Sequence, residues 1–143
     1  MQKHLLKYTI NGIKNSTNDM KLFIDDIRQP YNESWTLATT NEEVVNFVNL
    51  YGDQITDISF DHDISIGIIA HGLNRPYPSP ETFKVAAWYV ARYYHARRHV
   101  AVPNMTTHSS NPDGRKAIIA IFKDVLGVEC ANAPLPNCAR KQP

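Results

Sequence analysis

Three short apolar runs in this chain each end abruptly in a polar motif. Lys21-Leu22-Phe23-Ile24 leads into Asp25-Asp26-Ile27-Arg28, Ile55-Thr56-Asp57-Ile58-Ser59-Phe60 into Asp61-His62-Asp63, and Met105-Thr106-Thr107 into His108-Ser109-Ser110-Asn111. Runs of this length suit buried parallel strands. Helical patterns separate them. Thr40-Asn41-Glu42-Glu43 fits a capping box with Thr40 as N-cap. Val44, Val45, Phe47, Val48 and Tyr51 follow at helical spacing, and Gly52 is the expected stop. Ser79 and Pro80 are placed to open a second helix, with Phe83, Ala86, Ala87, Val90, Tyr93 and Tyr94 on its buried face. Asn111 caps a third, which Pro112 opens and Gly127 closes; Ala117, Ile118, Ile121, Phe122 and Val125 form its stripe.

Trp35–Ala38 reads as a further strand and Val128–Cys130 as a short edge strand. Strands alternating with helices imply right-handed crossovers. The expected fold is therefore α/β, a three-layer open, mostly parallel sheet of four to five strands with flanking helices. At 143 residues the chain is expected to be one domain, large enough for a core of its own. Residues 1–19 read as an N-terminal extension, with Leu5–Ile10 as a short strand and Asn11-Gly12 as a hairpin turn. Residues 20–130 form the main domain, and 131–143 a proline-rich, irregular tail. The 64–80 stretch reads as a long loop of the kind that often carries function, and its His71 could close over a ligand.

The formal charge of +1 gives no bulk attraction to nucleic acid or membrane. Arg92, Arg97, Arg98 and His99 cluster near one helix end, where cations suit the dipole; this is not an obvious surface for duplex DNA. Cys130 and Cys138 are expected to be reduced thiols. No run has the length of a signal-peptide core or approaches the ~20 apolar residues of a membrane span, so the expected location is the cytoplasm and no membrane partner is expected.

Ligands of open α/β sheets bind beyond the carboxyl ends of the strands. Neighbouring strands would bring four aspartates, two histidines and an arginine into one crevice. Asp25, Asp26 and Asp61, with Asp63 as a fourth carboxylate, suit a divalent cation, which also relieves their mutual repulsion. Asp25 or Asp26 could instead cap a turn or pair with Arg28. His62 and His108 offer imidazoles for proton transfer, metal ligation or phosphate. Mg²⁺ is the first expectation; ligation by both histidines would suit Mn²⁺, Zn²⁺ or Fe²⁺. Ser109, Ser110 and the helix amides near Asn111 can hold a phosphate, with Arg28 and Arg115 as clamps or as structural ion-pair partners. The sequence carries no P-loop, dinucleotide glycine fingerprint, zinc-ligand cysteine pairing or nucleophile elbow.

The aspartates after the first and third strands resemble the acidic pocket of response-regulator receiver domains, which implies a receiver (flavodoxin-like) topology. In that likeness Asp61 matches the phosphate-accepting aspartate and Ser109 the hydroxyl residue. The receiver lysine, usually followed by proline, has no counterpart here. Asp25-Asp26-Ile27-Arg28-Gln29-Pro30, Asp61-His62-Asp63 and His108-Ser109-Ser110-Asn111-Pro112-Asp113-Gly114 together are much more similar to the cyclic-phosphate-processing receiver-like family, over roughly residues 20–127. The resemblance implies metal-dependent processing of cyclic or terminal phosphates on nucleotides or RNA ends. The expected function is accordingly a metal-dependent phosphoesterase. Asp25, Asp26, Asp61 and Asp63 would hold the metal, and Asp61, His62 and His108 would act in catalysis. Arg28, Ser109, Ser110, Asn111 and Arg115 would bind phosphate. The alternatives are a module that sequesters the same nucleotide uncleaved, and a phospho-accepting switch.

Overall fold

The computed structural model describes residues 19–30, 32–66, 77–133 and 138–140. In chain order the strands and helices are β1 (Met20–Ile24), β2 (Arg28–Pro30), β3 (Trp35–Ala38), α1 (Asn41–Tyr51), β4 (Ile55–Phe60), β5 (Asp63–Ile66), β6 (Tyr77–Thr82), α2 (Lys84–His95), β7 (Asn104–Thr107), α3 (Pro112–Leu126), β8 (Cys130–Asn132) and β9 (Cys138–Arg140). Five strands form one sheet in the order β3-β1-β4-β7-β8, with every neighbouring pair parallel. With the three helices on its flank, this is the receiver-type α/β arrangement that the strand–helix alternation implies.

The core forms where alternate sheet residues meet the helices. Leu22, Ile24, Ile58, Phe60 and Met105 pack with Val44 and Val48 of α1, Ala86 and Val90 of α2, and Ile118 and Phe122 of α3. The Phe60 and Phe122 rings lie 5.3 Å apart. Among the described residues no helix is long and apolar enough to cross a membrane.

The helix caps show local chemistry at work. Thr40 Oγ1 accepts from Glu43 N at 3.0 Å, and Glu43 Oε1 reaches back to Thr39 N at 2.7 Å. Asn111 Oδ1 accepts from the Asp113 and Gly114 amides, and Gly127 ends α3 in the left-handed region at φ 68°. Gly52 does not stop α1 by handedness. Its φ is −53°, and the chain continues in a 3₁₀ turn through Gln54. Glycine is needed there because the Tyr93 ring occupies the space a Cβ would take, while Tyr94 Oη donates to Gly52 O at 2.6 Å.

Several other expectations need correcting. Ser79 and Pro80 do not open α2; they lie in β6, and the helix starts at Lys84. Its first amides are satisfied by Thr82 Oγ1 (from Lys84 N) and by Asn41 Oδ1 on α1 (from Ala86 N). The 64–80 stretch is not wholly loop, because β5 and β6 pair antiparallel across it. Prolines are tolerated in such a separate two-stranded ribbon because no second neighbour needs their missing N–H. The edge strand is displaced to Cys130–Asn132. Arg28–Pro30 at the end of the first motif form a strand, β2, and β9 from the expected irregular tail pairs with it antiparallel, Arg140 opposite Arg28. His71, Leu5–Ile10 and Asn11-Gly12 lie outside the described residues.

Arg97 is committed to Tyr93: it stacks over the ring at 3.8 Å and donates to its carbonyl. Cys130 is a free, buried thiol whose pKa burial pushes up to about 12. In a Cys138→Ser variant, native Cys130 should react with a disulfide reagent about a thousandfold more slowly than an exposed cysteine, and at the normal rate once unfolded. Stopped thiol titration reads both rates; fast native labelling would contradict the burial.

Candidate functional site

Asp25, Asp61 and His108 are the residues that directly follow β1, β4 and β7. Each backbone N–H adds one rung to the parallel ladder: Asp25 N to Ala38 O at 3.0 Å, Asp61 N to Ile24 O at 2.9 Å, and His108 N to Phe60 O at 2.9 Å. Ile24 is in register with Phe60, and Phe60 with Thr107, so the three strand tips are level. The chain steps from β1 to β3 on one side and later to β4 on the other. The cluster therefore sits at the reversal of strand order, where sheets of this kind open a ligand crevice. Alternation puts Asp25 on the face of Phe23, Asp61 on that of Ser59, and His108 on that of Thr106, and register aligns these three. One ligand-capable atom from each of Asp25, Asp61 and His108 lies within 4.8 Å of the others, and all three residues are buried.

The two aspartates are electrostatically unequal. Asp25 Oδ1 accepts from the Ile27 and Arg28 amides, both at 2.8 Å. Its Oδ2 accepts from His108 Nε2 at 2.9 Å and Arg28 Nη1 at 3.3 Å. Burial alone would raise this carboxyl's pKa, but the His108 and backbone hydrogen bonds outweigh it and hold the group below its ordinary value. Asp61 is driven up to about 7, first by burial and then by the negative charge of Asp25; its neighbour Asp26 adds to the rise. The His62 amide and Arg28 oppose that rise, but Arg28 Nη1 is 3.9 Å from Asp61 Oδ2 and does not neutralise it. Arg28 thus lies closer to Asp25, at 3.3 Å, than to Asp61, at 3.9 Å, and leaves Asp61 only partly compensated. The donor set fits a divalent ion on this ground: an ion beside Asp61 would restore the balance of charge.

A second group stands beside the cluster. His62 Nδ1 donates to Asp63 Oδ1 at 2.7 Å, and the side chain lies close against Gly114 in the first turn of α3. A carboxylate accepts only, so the neutral ring keeps Nε2 as its basic nitrogen. Asn111 Nδ2 donates to both Asp63 oxygens, at 3.2 and 3.4 Å. Asp63, exposed and committed to His62 and Asn111, stands apart from the buried cluster in which it was expected. Ser109 is buried and its Oγ accepts from Asn111 N, while exposed Ser110 accepts from Arg28 Nη2 at 3.3 Å. Arg115 Nη1 donates to the Ser109 carbonyl at 2.8 Å and so braces the turn. Asn111 occupies the amides of Asp113 and Gly114, which are therefore engaged within the helix cap.

Sequence reasoning missed Ser59 and Phe23. Ser59 Oγ lies 2.7 Å from His108 Nδ1, and the Phe23 ring stacks on the imidazole at 4.3 Å and 8°. The signal was present: Ser59 is two residues before Asp61 and so on its face, a small polar residue in an otherwise apolar strand end.

A level parallel sheet with an acidic pocket at its switch point defines a receiver-type α/β domain. The model of the family described as the cyclic-phosphate processing receiver domain matches residues 20–124, and the chain belongs to that family. The matched segment contains Asp25, Asp61, His62 and His108. No curated protein and no solved structure matches the chain.

Proposed function

We propose that this domain is a metal-dependent phosphoesterase that hydrolyses a phosphate ester of a nucleotide or an RNA end, a cyclic phosphodiester in particular. The observation that carries the reading is the buried Asp25–Asp61–His108 cluster at the strand tips. Asp25 and Asp61 would hold a divalent cation, with Asp26 beside them, and bound there it would polarise the phosphoryl group and acidify a water molecule. His108 has both ring nitrogens occupied by Ser59 and Asp25, so it serves as a support for Asp25. That leaves oxygen donors foremost, and Mg²⁺ is the ion we expect.

His62 is the group placed for proton transfer. Asp63 fixes its tautomer, and Nε2 accepts the proton of the attacking water. The water oxygen forms the new bond to phosphorus, one ester P–O bond breaks, and the released alkoxide takes the proton that His62 accepted, giving the free hydroxyl of a phosphate monoester and returning His62 to its starting form. Arg28 bridges Asp25 and Ser110 at the rim, where its guanidinium can meet phosphate oxygens, and the Ser109 and Ser110 hydroxyls retain hydrogens to donate.

Incubation with Mg²⁺, Mn²⁺ or Zn²⁺ and a panel of 2′,3′- and 3′,5′-cyclic nucleotides and cyclic-phosphate RNA ends, followed by phosphorus NMR, tests this. The expected result is cation-dependent conversion to monoester, stopped by chelation. Tight binding with every ligand recovered intact would replace hydrolysis by sequestration. Stoichiometric phosphorylation of Asp61 by acetyl phosphate would point to a switch.

A further inference from the structure

We propose that Ser59 is a positioning residue: its hydroxyl donates to His108 Nδ1 and fixes the ring as the Nε2–H tautomer that holds Asp25. The imidazole is clamped on three sides. Nδ1 is 2.7 Å from Ser59 Oγ, Nε2 is 2.9 Å from Asp25 Oδ2, and Phe23 covers one ring face. Phe23 and Ser59 are register partners on β1 and β4, so both are set by the sheet. An ionised carboxylate only accepts, so Nε2 must carry the hydrogen. A neutral imidazole has one N–H, which makes Nδ1 an acceptor. Of the two roles open to a hydroxyl, only donation by Ser59 then satisfies both atoms.

The consequence reaches Asp25. Its Oδ1 is fixed by two backbone amides, and His108 gives Oδ2 its shortest contact. Removing the Ser59 hydroxyl would leave Nδ1 a buried acceptor with no donor, which favours turning the ring until Nδ1 finds another donor, out of line with Asp25. Asp25 would then lose its donor and its orientation. Supports of this kind typically govern metal affinity without touching the metal.

Nitrogen-15 NMR of the histidine rings in cation-free protein reads the tautomer directly, with His108 identified by the signal lost in His108→Asn. Wild type should show a single Nε2–H tautomer. Ser59→Ala, close in size and so compatible with the fold, should show a shifted or mixed ring. Ser59→Thr, which keeps the hydroxyl, should return the wild-type pattern. Mg²⁺ affinity measured by calorimetry should fall by about tenfold in the alanine variant and recover in the threonine variant. A wild-type ring with hydrogen on Nδ1 or on both nitrogens overturns the proposal, whether or not the Ser59 variants fold. So does an alanine variant with an unchanged ring spectrum or unchanged Mg²⁺ affinity. The Mg²⁺ arm rests on the cation reading given above; the tautomer arm does not. If wild type shows the expected ring but binds no Mg²⁺, the cation reading fails and the Ser59 assignment stands.

Discussion

Asp61→Asn should abolish cation-dependent turnover and, in the same protein, raise stability in the absence of the cation. The rate loss follows from losing a charged donor at the place where phosphoryl charge must be met. Several kcal/mol of such stabilisation, about 4, corresponds to a fall on the order of 10³. The stability gain follows from the raised pKa of Asp61, moved by burial and by Asp25 from 3.8 to about 7. The folded state therefore binds this proton more tightly than the unfolded state. Asp61's contribution to stability is fully present below the unfolded value and is lost as pH rises through about 7. For a shift of this size the loss is at most about 4 kcal/mol. Asp25 has the opposite sign: its lowered pKa stabilises above the unfolded value and is lost only as pH falls through the folded one. The window between pH 3.8 and about 7 thus belongs to Asp61. Thermal unfolding of cation-free wild type should show stability declining across that window, and the asparagine variant should not share the decline. At about pH 8, saturating Mg²⁺ should restore wild type by binding the native state and leave Asp61→Asn unmoved. Matching pH profiles for the two proteins, or equal Mg²⁺ shifts, would remove Asp61 from the proposed centre.

The parts of this molecule that were legible in sequence are those in which local pattern and tertiary structure agree. Apolar runs stop at Ile24, Phe60 and Thr107 because each strand end leaves the core there, and the next residue meets the crevice. Thr40 and Asn111 cap helices through their own nearby amides, so four or five residues carried the information. Reading failed where the partner is distant in sequence. Ser79-Pro80 has the form of a helix start, yet Pro80 lies in β6 and the first amides of α2 are met by Thr82 and by Asn41 on another helix. Gly52 has the form of a stop, but its reason is the Tyr93 ring. Asp63 was legible as a carboxylate of the crevice, but not its tie to Asn111, 48 residues away. The β2–β9 pairing joins segments more than a hundred residues apart and has no local signature.

Gly114→Ala should separate proton transfer from cation binding. Gly114 lies in the buried first turn of α3, and a Cβ there would fall within the contact shell of His62 Cγ, Nδ1 and Cβ. Because His62 Cβ itself is crowded, turning the ring cannot clear the space. Moving the backbone is resisted too: His62 O accepts from Phe83 N at 2.8 Å just ahead of α2. The remaining escape is a forced displacement of the His62 segment from α3 against that resistance, which strains the hydrogen bond from Nδ1 to Asp63 and moves Nε2 from its place. Overpacking of this kind costs about 1–3 kcal/mol, less whatever alanine gains over glycine inside a helix, about 1 kcal/mol. Loss of a positioned general base costs about 10²–10⁴ in rate. Asp25 and Asp61 are held by strand tips that α3 does not build, so Mg²⁺ affinity should stay within about twofold of wild type. His62→Ala should lose the same activity without the steric cost. The double variant should be no slower than either single one and should regain part of the stability, because truncating His62 removes Cγ and Nδ1 and leaves only Cβ against the new methyl. Such non-additivity is the signature of two side chains competing for one volume. Full activity and an unchanged melting temperature in Gly114→Ala would mean that His62 does not work from where it lies against α3.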